Sequence, residues 1–391
     1  MRINSPSLLA PRRKTRRIQV GPVAVGGGAP VAVQSMTKTD TRDVRATVAQ
    51  IRDLERAGCD IIRVAVPDEE AARNLAAIRR AIHIPLVADI HFNYRLALEA
   101  LAAGVDGLRI NPGNIGSIAN VREVVRAARE RKVPIRIGVN AGSLEKEILA
   151  KHGGATAKAL VASAMKHVRI LEKLDYREIK ISVKASDTAR TVQAYRLLAE
   201  ATDYPLHLGV TEAGTLLTGA VRSTAALSIL LAEGIGDTLR VSLTEHPLRE
   251  VKAGLEILRA LALRPPGPSV IACPTCGRVE IDVIALAHRL EEELDKLAVR
   301  AFSGARQPKD WPVVAIMGCM VNGPGEAREA DIAIAGGKRK AALYVGGVFK
   351  ATVPERAIVA AVIRQVRAFL CRTLARKTLR RKVSRFNGRA E

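Results

Sequence analysis

The chain has 391 residues, of which 48% are hydrophobic and 26% charged, a composition that excludes disorder and a length beyond one ordinary domain. Its formal net charge of +23 sits largely at the ends: residues 1–17 carry six Lys/Arg and no acid, and residues 372–391 carry eight against Glu391, which leaves about +10 for the body. With aromatics at only 3% the basic ends read as solvated tails, so nucleic acid is not the expected partner, and no apolar run approaches the ~20 residues of a membrane helix.

Residues 1–13 read as a basic extension, and Met1–Val20 holds no apolar stretch of signal-peptide length, so a cytoplasmic protein is expected. From residue 14 to 263, a barrel domain, short β-branched runs alternate with segments of helical period. The runs are Val31–Ser35, Ile61–Val66, Pro85–Asp89, Gly107–Ile110, Pro134–Val139, Glu178–Val183, Pro205–Val210 and Thr238–Ser242, with helix-like segments such as Asp43–Ala57 and Ser223–Glu233 between them. Strands that alternate with helices pair in parallel, and eight repeats over about 230 residues predict a (β/α)8 TIM-type barrel within the α/β class. A doubly wound sheet is the competing fold, but no G-x-G-x-x-G opens any of the helices.

Such a barrel builds its active site at the carboxyl ends of its strands. Arg63, Asp89, His91, Arg109, Arg136, Asn140, Lys184, Glu212, Arg240 and Ser242 all fall in or just past a predicted strand. Some of the arginines can form ion pairs inside the barrel, yet five cations face only Asp89 and Glu212. The surplus predicts a polyanionic ligand, since guanidinium forks match phosphate oxygens. The segment Arg109–Gly116 adds glycines whose backbone N–H groups can approach an anion, although Asn-Pro-Gly-Asn is also a plain turn.

Leu263–Ser269 cannot continue a helix, so residues 264–270 read as a linker, 271–370 as a second domain and 371–391 as a basic tail. Ile271-Ala-Cys-Pro-Thr-Cys-Gly277 places Cys273 and Cys276 within reach of one metal or cluster, and an apolar strand, Pro312–Ile316, delivers Cys319 into a Gly/Pro-rich turn. Cys59 and Cys371 read as packed or incidental thiols, and Glu326 is the nearest further donor. On spacing alone an iron–sulfur cluster and a structural zinc both remain open. A helix at Val279–Phe302, strands at Asp331–Ala335 and Ala342–Val345 and a helix at Glu355–Leu370 complete a compact α+β unit.

Taken in order, Val31-Ala-Val-Gln-Ser-Met-Thr37, Val87-Ala-Asp-Ile-His-Phe92, Leu108-Arg-Ile-Asn-Pro-Gly-Asn-Ile-Gly116, Ser182-Val-Lys-Ala-Ser-Asp187, Leu208-Gly-Val-Thr-Glu-Ala-Gly214, Cys273-Pro-Thr-Cys-Gly-Arg278 and Gly318-Cys-Met-Val-Asn-Gly-Pro-Gly-Glu326 closely resemble bacterial 4-hydroxy-3-methylbut-2-enyl diphosphate synthases. The resemblance spans about residues 14–365, without the long extra domain of plant members. It implies a barrel followed by a [4Fe–4S] domain, in a homodimer where one subunit's cluster closes over the other's barrel. The implied reaction is the two-electron reductive ring opening and dehydration of 2-C-methyl-D-erythritol 2,4-cyclodiphosphate in non-mevalonate isoprenoid biosynthesis, with reduced flavodoxin or ferredoxin as donor. Carried over by position, Cys273, Cys276, Cys319 and Glu326 match the cluster ligands, and Glu212 matches an acid acting in proton transfer. Arg63, His91, Arg109, Arg136, Asn140, Lys184, Arg240 and Ser242 match positions around the diphosphate and diol, and Asp89 is counted with them as a member of the same strand-end set.

Overall fold

A computed structural model describes residues 9–301, 311–320, 325 and 330–387. The chain divides into two units, Met1–Arg264 and Pro265–Glu391. In the first, the β-branched runs become β3 (Ala32–Met36), β4 (Ile61–Ala65), β5 (Leu86–Asp89), β6 (Gly107–Ile110), β7 (Ile135–Asn140), β8 (Ile179–Lys184), β9 (His207–Leu208) and β10 (Thr238–Leu239), after a short hairpin of β1 (Ile18–Val20) and β2 (Val23–Val25). The strands β3 to β10 pair in parallel in chain order, and β10 returns to β3 with Thr238 opposite Ala32. A parallel bridge between Ile181 and Leu206 joins β8 to the entry of β9, so the ring closes as the TIM-type barrel expected.

Helices α1 (Val44–Arg56), α2 (Glu69–Ala81), α3 (Tyr94–Ala102), α4 (Ile118–Arg131), α5 (Lys146–His152), α6 (Ala157–Lys173), α7 (Thr188–Ala201), α8 (Leu216–Ala232) and α9 (Pro247–Ala260) follow the strands. Several start on a side chain that accepts a backbone N–H: Asp43, Asp68, Asn93, Ser117, Thr156 and Asp187 each cap the helix behind them. A cap of this kind contributes about 1 kcal/mol and fixes where the loop above each strand ends.

Alternation along the strands sorts the side chains into two sets. Ile62, Val64, Leu86, Ala88, Leu108, Ile110, Ile135, Ile137, Ile179 and Ile181 join Ile51, Leu75, Val124, Leu160, Leu198 and Leu258 of the helices in one large core. The axial set carries Gln34, Asp89, Arg109, Arg136, Lys180, Lys184 and His207, all buried and polar. Below them Ile18, Val20 and Val25 of the hairpin pack with Ala32, Ile61 and Val87, closing the amino-terminal mouth with an apolar plug. The sequence reading left that hairpin unassigned.

The edges of the barrel unit also differ from the sequence reading. Arg12 and Arg13, expected in a basic extension, are bound to the barrel: Arg12 Nη2 lies 3.1 Å from Asp237 Oδ1, and Arg13 N donates to Gly234 O at 3.0 Å. Arg264, expected in a linker, donates to Val31 O at 3.2 Å and pairs with Asp60.

The second unit holds a five-stranded sheet in the order β11 (Ser269–Ala272), β12 (Val313–Met317), β13 (Ile332–Gly337), β14 (Lys340–Val345) and β15 (Val348–Pro354). The first three strands are parallel and the rest antiparallel. Helices α10 (Val283–Ala301) and α11 (Ile358–Asn387) cover it, with Leu286, Leu290, Leu294, Ile358, Val362 and Val366 packed on Val314, Ile316, Ile332 and Ile334. Two features depart from expectation: β11 and β15 are additional strands, and α11 runs on past Leu370 into the basic tail. No helix among the described residues is long and apolar enough to cross a membrane.

Candidate active site

The ends of β4 to β8 and the residues just past β9 and β10 line one cavity of about 150 Å³ at the carboxyl mouth of the barrel. The nine residues expected around a ligand, Arg63, Asp89, His91, Arg109, Arg136, Asn140, Lys184, Arg240 and Ser242, all line it. Gly138, Ser182 and Thr211 line it too and were missed. A period of two along β7 and β8 was the available signal, since Gly138 lies between Arg136 and Asn140, and Ser182 precedes Lys184 by two. Glu212 is not among the lining residues: it is exposed, beside Thr211, with a left-handed backbone at φ 53°.

Charge decides the chemistry of this cavity. Asp89 sits among cations, Oδ1 3.3 Å from Arg109 Nη1 and Oδ2 3.6 Å from Arg63 Nε, with His91 Nε2 3.6 Å from Oδ1. Burial by itself would raise the Asp89 pKa, but Arg63, His91, Arg109 and Arg136 together outweigh it and hold the carboxylate well below the usual range. The second acid is Glu250 of α9 rather than Glu212: Arg240 reaches it through Nε at 3.2 Å and Nη2 at 3.1 Å. Lys180, deeper on β8, adds a cation that the sequence reading did not count.

Cations therefore outnumber acids inside the barrel. Burial, then the neighbouring Arg240 and Arg109, push Arg63 down to about 10 against the pull of Asp89. Burial and the surrounding arginines push Lys184 well below its ordinary value, and burial with Arg136 brings Lys180 down to about 7. The same causes keep the His207 ring neutral, with Nδ1 2.8 Å from Thr238 Oγ1. Among the described residues the buried Nε and Nη2 of Arg136 have no hydrogen-bond partner. Crowded, under-compensated cations of this kind are stabilised by a bound polyanion, which restores their charged forms and supplies acceptors.

Two glycines make room for them. A Cβ on Gly138 would stand 2.6 Å from Arg109 Nε, and one on Gly209 would stand 2.7 Å from Lys184 Nζ and 2.8 Å from Arg240 O.

The thiols belong to the second unit. Cys273 follows β11 and its N donates to Ile316 O at 3.0 Å, while Cys319 follows β12 by two residues, so both leave the carboxyl edge of parallel strands. Gly318 N donates to Cys273 Sγ at 3.2 Å, and a Cβ on Gly318 would meet that sulfur at 3.3 Å and Val279 and Val283 at 2.8 Å. Cys276 is exposed, and backbone and side-chain hydrogen bonds from Arg278 lower its thiol pKa. Three free thiols with an N–H aimed at sulfur fit a thiolate-held iron–sulfur centre, whose sulfurs need such donors. Among the described residues no three His, Cys, Asp or Glu side chains are grouped to hold a single metal ion. Glu326, the expected further ligand, lies outside the described residues. Cys59 is a packed thiol, buried under β3 and β4, donating to Ile61 O at 3.1 Å and pushed up to about 12 by burial and Asp60.

Fold and site together define a class: a TIM-type barrel enzyme for an anionic substrate, joined to a thiol-bearing domain. The chain belongs to the GcpE family, whose TIM-barrel domain matches residues 15–255 and whose C-terminal domain matches residues 269–368. It is 56% identical over 359 residues, 92% of this chain and 99% of the relative, to the 4-hydroxy-3-methylbut-2-en-1-yl diphosphate synthase (flavodoxin) of Geobacter sulfurreducens. Proteins of the same name from Thermodesulfovibrio yellowstonii and Symbiobacterium thermophilum are each 54% identical over 356 residues, 91% of this chain and 99% and 93% of theirs. Among solved structures, a 3-dehydroquinate dehydratase from Geobacillus kaustophilus aligns over 64% of this chain and 98% of its own, at 18% identity and a TM-score of 0.45. As a GcpE member the chain is an iron–sulfur oxidoreductase.

Proposed function

We infer that the chain converts 2-C-methyl-D-erythritol 2,4-cyclodiphosphate to 4-hydroxy-3-methylbut-2-enyl diphosphate by a two-electron reductive ring opening and dehydration, the step of non-mevalonate isoprenoid biosynthesis that its relatives are named for. The observation that carries this reading is the cationic cavity: Arg63, Arg109, Arg136, Lys184 and Arg240 converge there against Asp89. A cyclic diphosphate brings the missing negative charge, and guanidinium forks seat its oxygens in a fixed orientation. Asn140, Ser182, Thr211 and Ser242 supply neutral donors and acceptors for a diol beside it.

Within the reaction the diphosphate stays on one carbon while the ring C–O bond opens and a hydroxyl departs as water. A hydroxyl leaves readily only when it takes up a proton, and Glu212, at the rim beside Thr211, is assigned to proton transfer. Asp89 keeps Arg63, Arg109 and His91 in place and stays ionised throughout. Cys273, Cys276, Cys319 and Glu326 would hold a [4Fe–4S] cluster, which when bound supplies the electrons and a Lewis acid. Reduced flavodoxin is the electron donor that the relatives' names point to, and the resemblance further implies a homodimer that joins the barrel of one subunit to the thiols of the other.

Iron, zinc and acid-labile sulfide per chain, measured on anaerobically purified protein, test the redox part. About four irons and four sulfides are expected, with turnover of the cyclic diphosphate under reduced flavodoxin and loss of both cluster and turnover in Cys273→Ser. Stoichiometric zinc without sulfide, or a fully active Cys273→Ser enzyme, would reject the assignment.

A further inference from the structure

We propose that Glu250 is the positioning residue for Arg240 and for the turn that carries Ser242. The inference rests on the reading of the cavity as a cyclic diphosphate site. Glu250 is 1% exposed in the first turn of α9 and does not line the cavity. A buried carboxylate is costly unless its partners outweigh the lost hydration, and the partners here all come from the framework of the cavity. Oε2 accepts from Arg240 Nε and Nη2, at 3.2 and 3.1 Å, and from Ser35 Oγ at 3.3 Å. Oε1 accepts from Leu243 N at 3.1 Å and from Arg240 Nη2 at 3.3 Å, and stands 3.4 Å from Lys38 Nζ. Lys38 in turn donates to Leu243 O at 2.7 Å.

One carboxylate thus ties the end of β3, the residues that follow β10, and α9. The contact matters because of charge. Arg240 is among the cations that disfavour the charged forms of Arg63 and Lys184, so its neighbours in the cavity repel it. Glu250 opposes that repulsion from behind and engages Nε and Nη2, leaving Nη1 with a 3.9 Å contact to Met36 Sδ as the nitrogen turned to other partners. Its bond to Leu243 N fixes the backbone on the far side of Ser242. Arg240 and Ser242 then meet the ligand already placed, and no ordering cost falls on binding.

The test is calorimetric titration of the full chain with 2-C-methyl-D-erythritol 2,4-cyclodiphosphate, for wild type, Glu250→Gln, Arg240→Met and the double variant. Glu250→Gln is expected to bind about tenfold or more weakly, as when a hydrogen-bonded charge is lost. A Gln side-chain oxygen still accepts from Leu243 N, so the substitution removes only the hold on Arg240, and the double variant is expected to bind no more weakly than Arg240→Met. In the cluster-loaded enzyme the same substitution should raise KM and change kcat far less. Glu250→Asp keeps the charge and should regain part of the affinity lost in the Gln variant. Unchanged affinity in Glu250→Gln, losses that multiply in the double variant, or a Gln variant that binds better than the Asp variant would each overturn the role. A wild-type chain that does not bind the cyclic diphosphate would instead overturn the substrate reading, and this inference with it.

Discussion

Lys180 shows what a single residue reveals about the purpose of this barrel. It is buried beneath the cavity, and burial first, then Arg136 and Arg63, bring it from an ordinary 10.5 down to about 7, with Asp237 pulling the other way. The folded state therefore releases a proton that the unfolded chain keeps between about pH 7 and 10.5. The sign follows: the cost of folding is fully present below pH 7 and fades as the pH rises toward 10.5. Lys180→Met should accordingly stabilise the chain near pH 7, by an amount on the order of 4 kcal/mol, and the gain should vanish near pH 10.5 in denaturant titrations. A gain that does not change with pH would mean that Lys180 is not the titrating group. Because the cost is electrostatic, a bound polyanion should relieve it. Binding of the cyclic diphosphate at about pH 8 should draw protons onto Lys180, and affinity should fall as the pH rises. Calorimetry in two buffers of different ionisation enthalpy measures that uptake, and none at all would contradict the assignment.

At the scale of strands and helices, the barrel was legible because each strand buries both faces. Ile135-Arg-Ile-Gly-Val-Asn140 alternates aliphatic side chains toward the helices with Arg136, Gly138 and Asn140 toward the axis, so one line of sequence announced both the strand and its contribution to the site. What stayed hidden has equally physical reasons. Glu250 looks like an ordinary acid in the first turn of a helix, favoured there by the helix dipole, and nothing local says that its partner is Arg240. Ser269-Val-Ile-Ala272 is too short and too close to a Pro-rich stretch to stand out, and β15 is mostly exposed, so its hydrophobic pattern is weak. The axial glycines give a test of the strand geometry. In Gly138→Ala the new methyl meets the Arg109 side chain, which can shift, so affinity for the diphosphate should fall while thermal stability changes little. In Gly209→Ala it meets the backbone carbonyl of Arg240, which cannot yield without moving β10, so a clear loss of stability should accompany the loss of binding. Equal melting temperatures in the two variants would mean that the strands have more room than the distances imply.

The whole molecule divides its work between two separate cores. One runs from Val31 to Leu258 through the barrel and its helices, and the other from Ile281 to Leu370 through the sheet of the thiol-bearing unit. The barrel is also sealed at its own ends, by Arg12 on Asp237 and by Arg264 on Asp60 and Val31, which places its last fastening just before the Pro-rich stretch 265–268. Every cavity residue named here, and Glu250 behind them, lies on the barrel side of that stretch, whereas Cys273, Cys276 and Cys319 lie beyond it. On the proposed reading, recognition of the anion and delivery of electrons are thus encoded in different parts of the chain. A fragment ending at Arg264 should fold with a cooperative transition of its own, bind the cyclic diphosphate within a few-fold of the full chain, and show the proton uptake assigned to Lys180. It should turn over nothing, with or without reductant, because it lacks the thiols. If the folded fragment binds far more weakly than the full chain, groups of the second unit contribute to recognition directly, and the cationic cavity is only part of the substrate site.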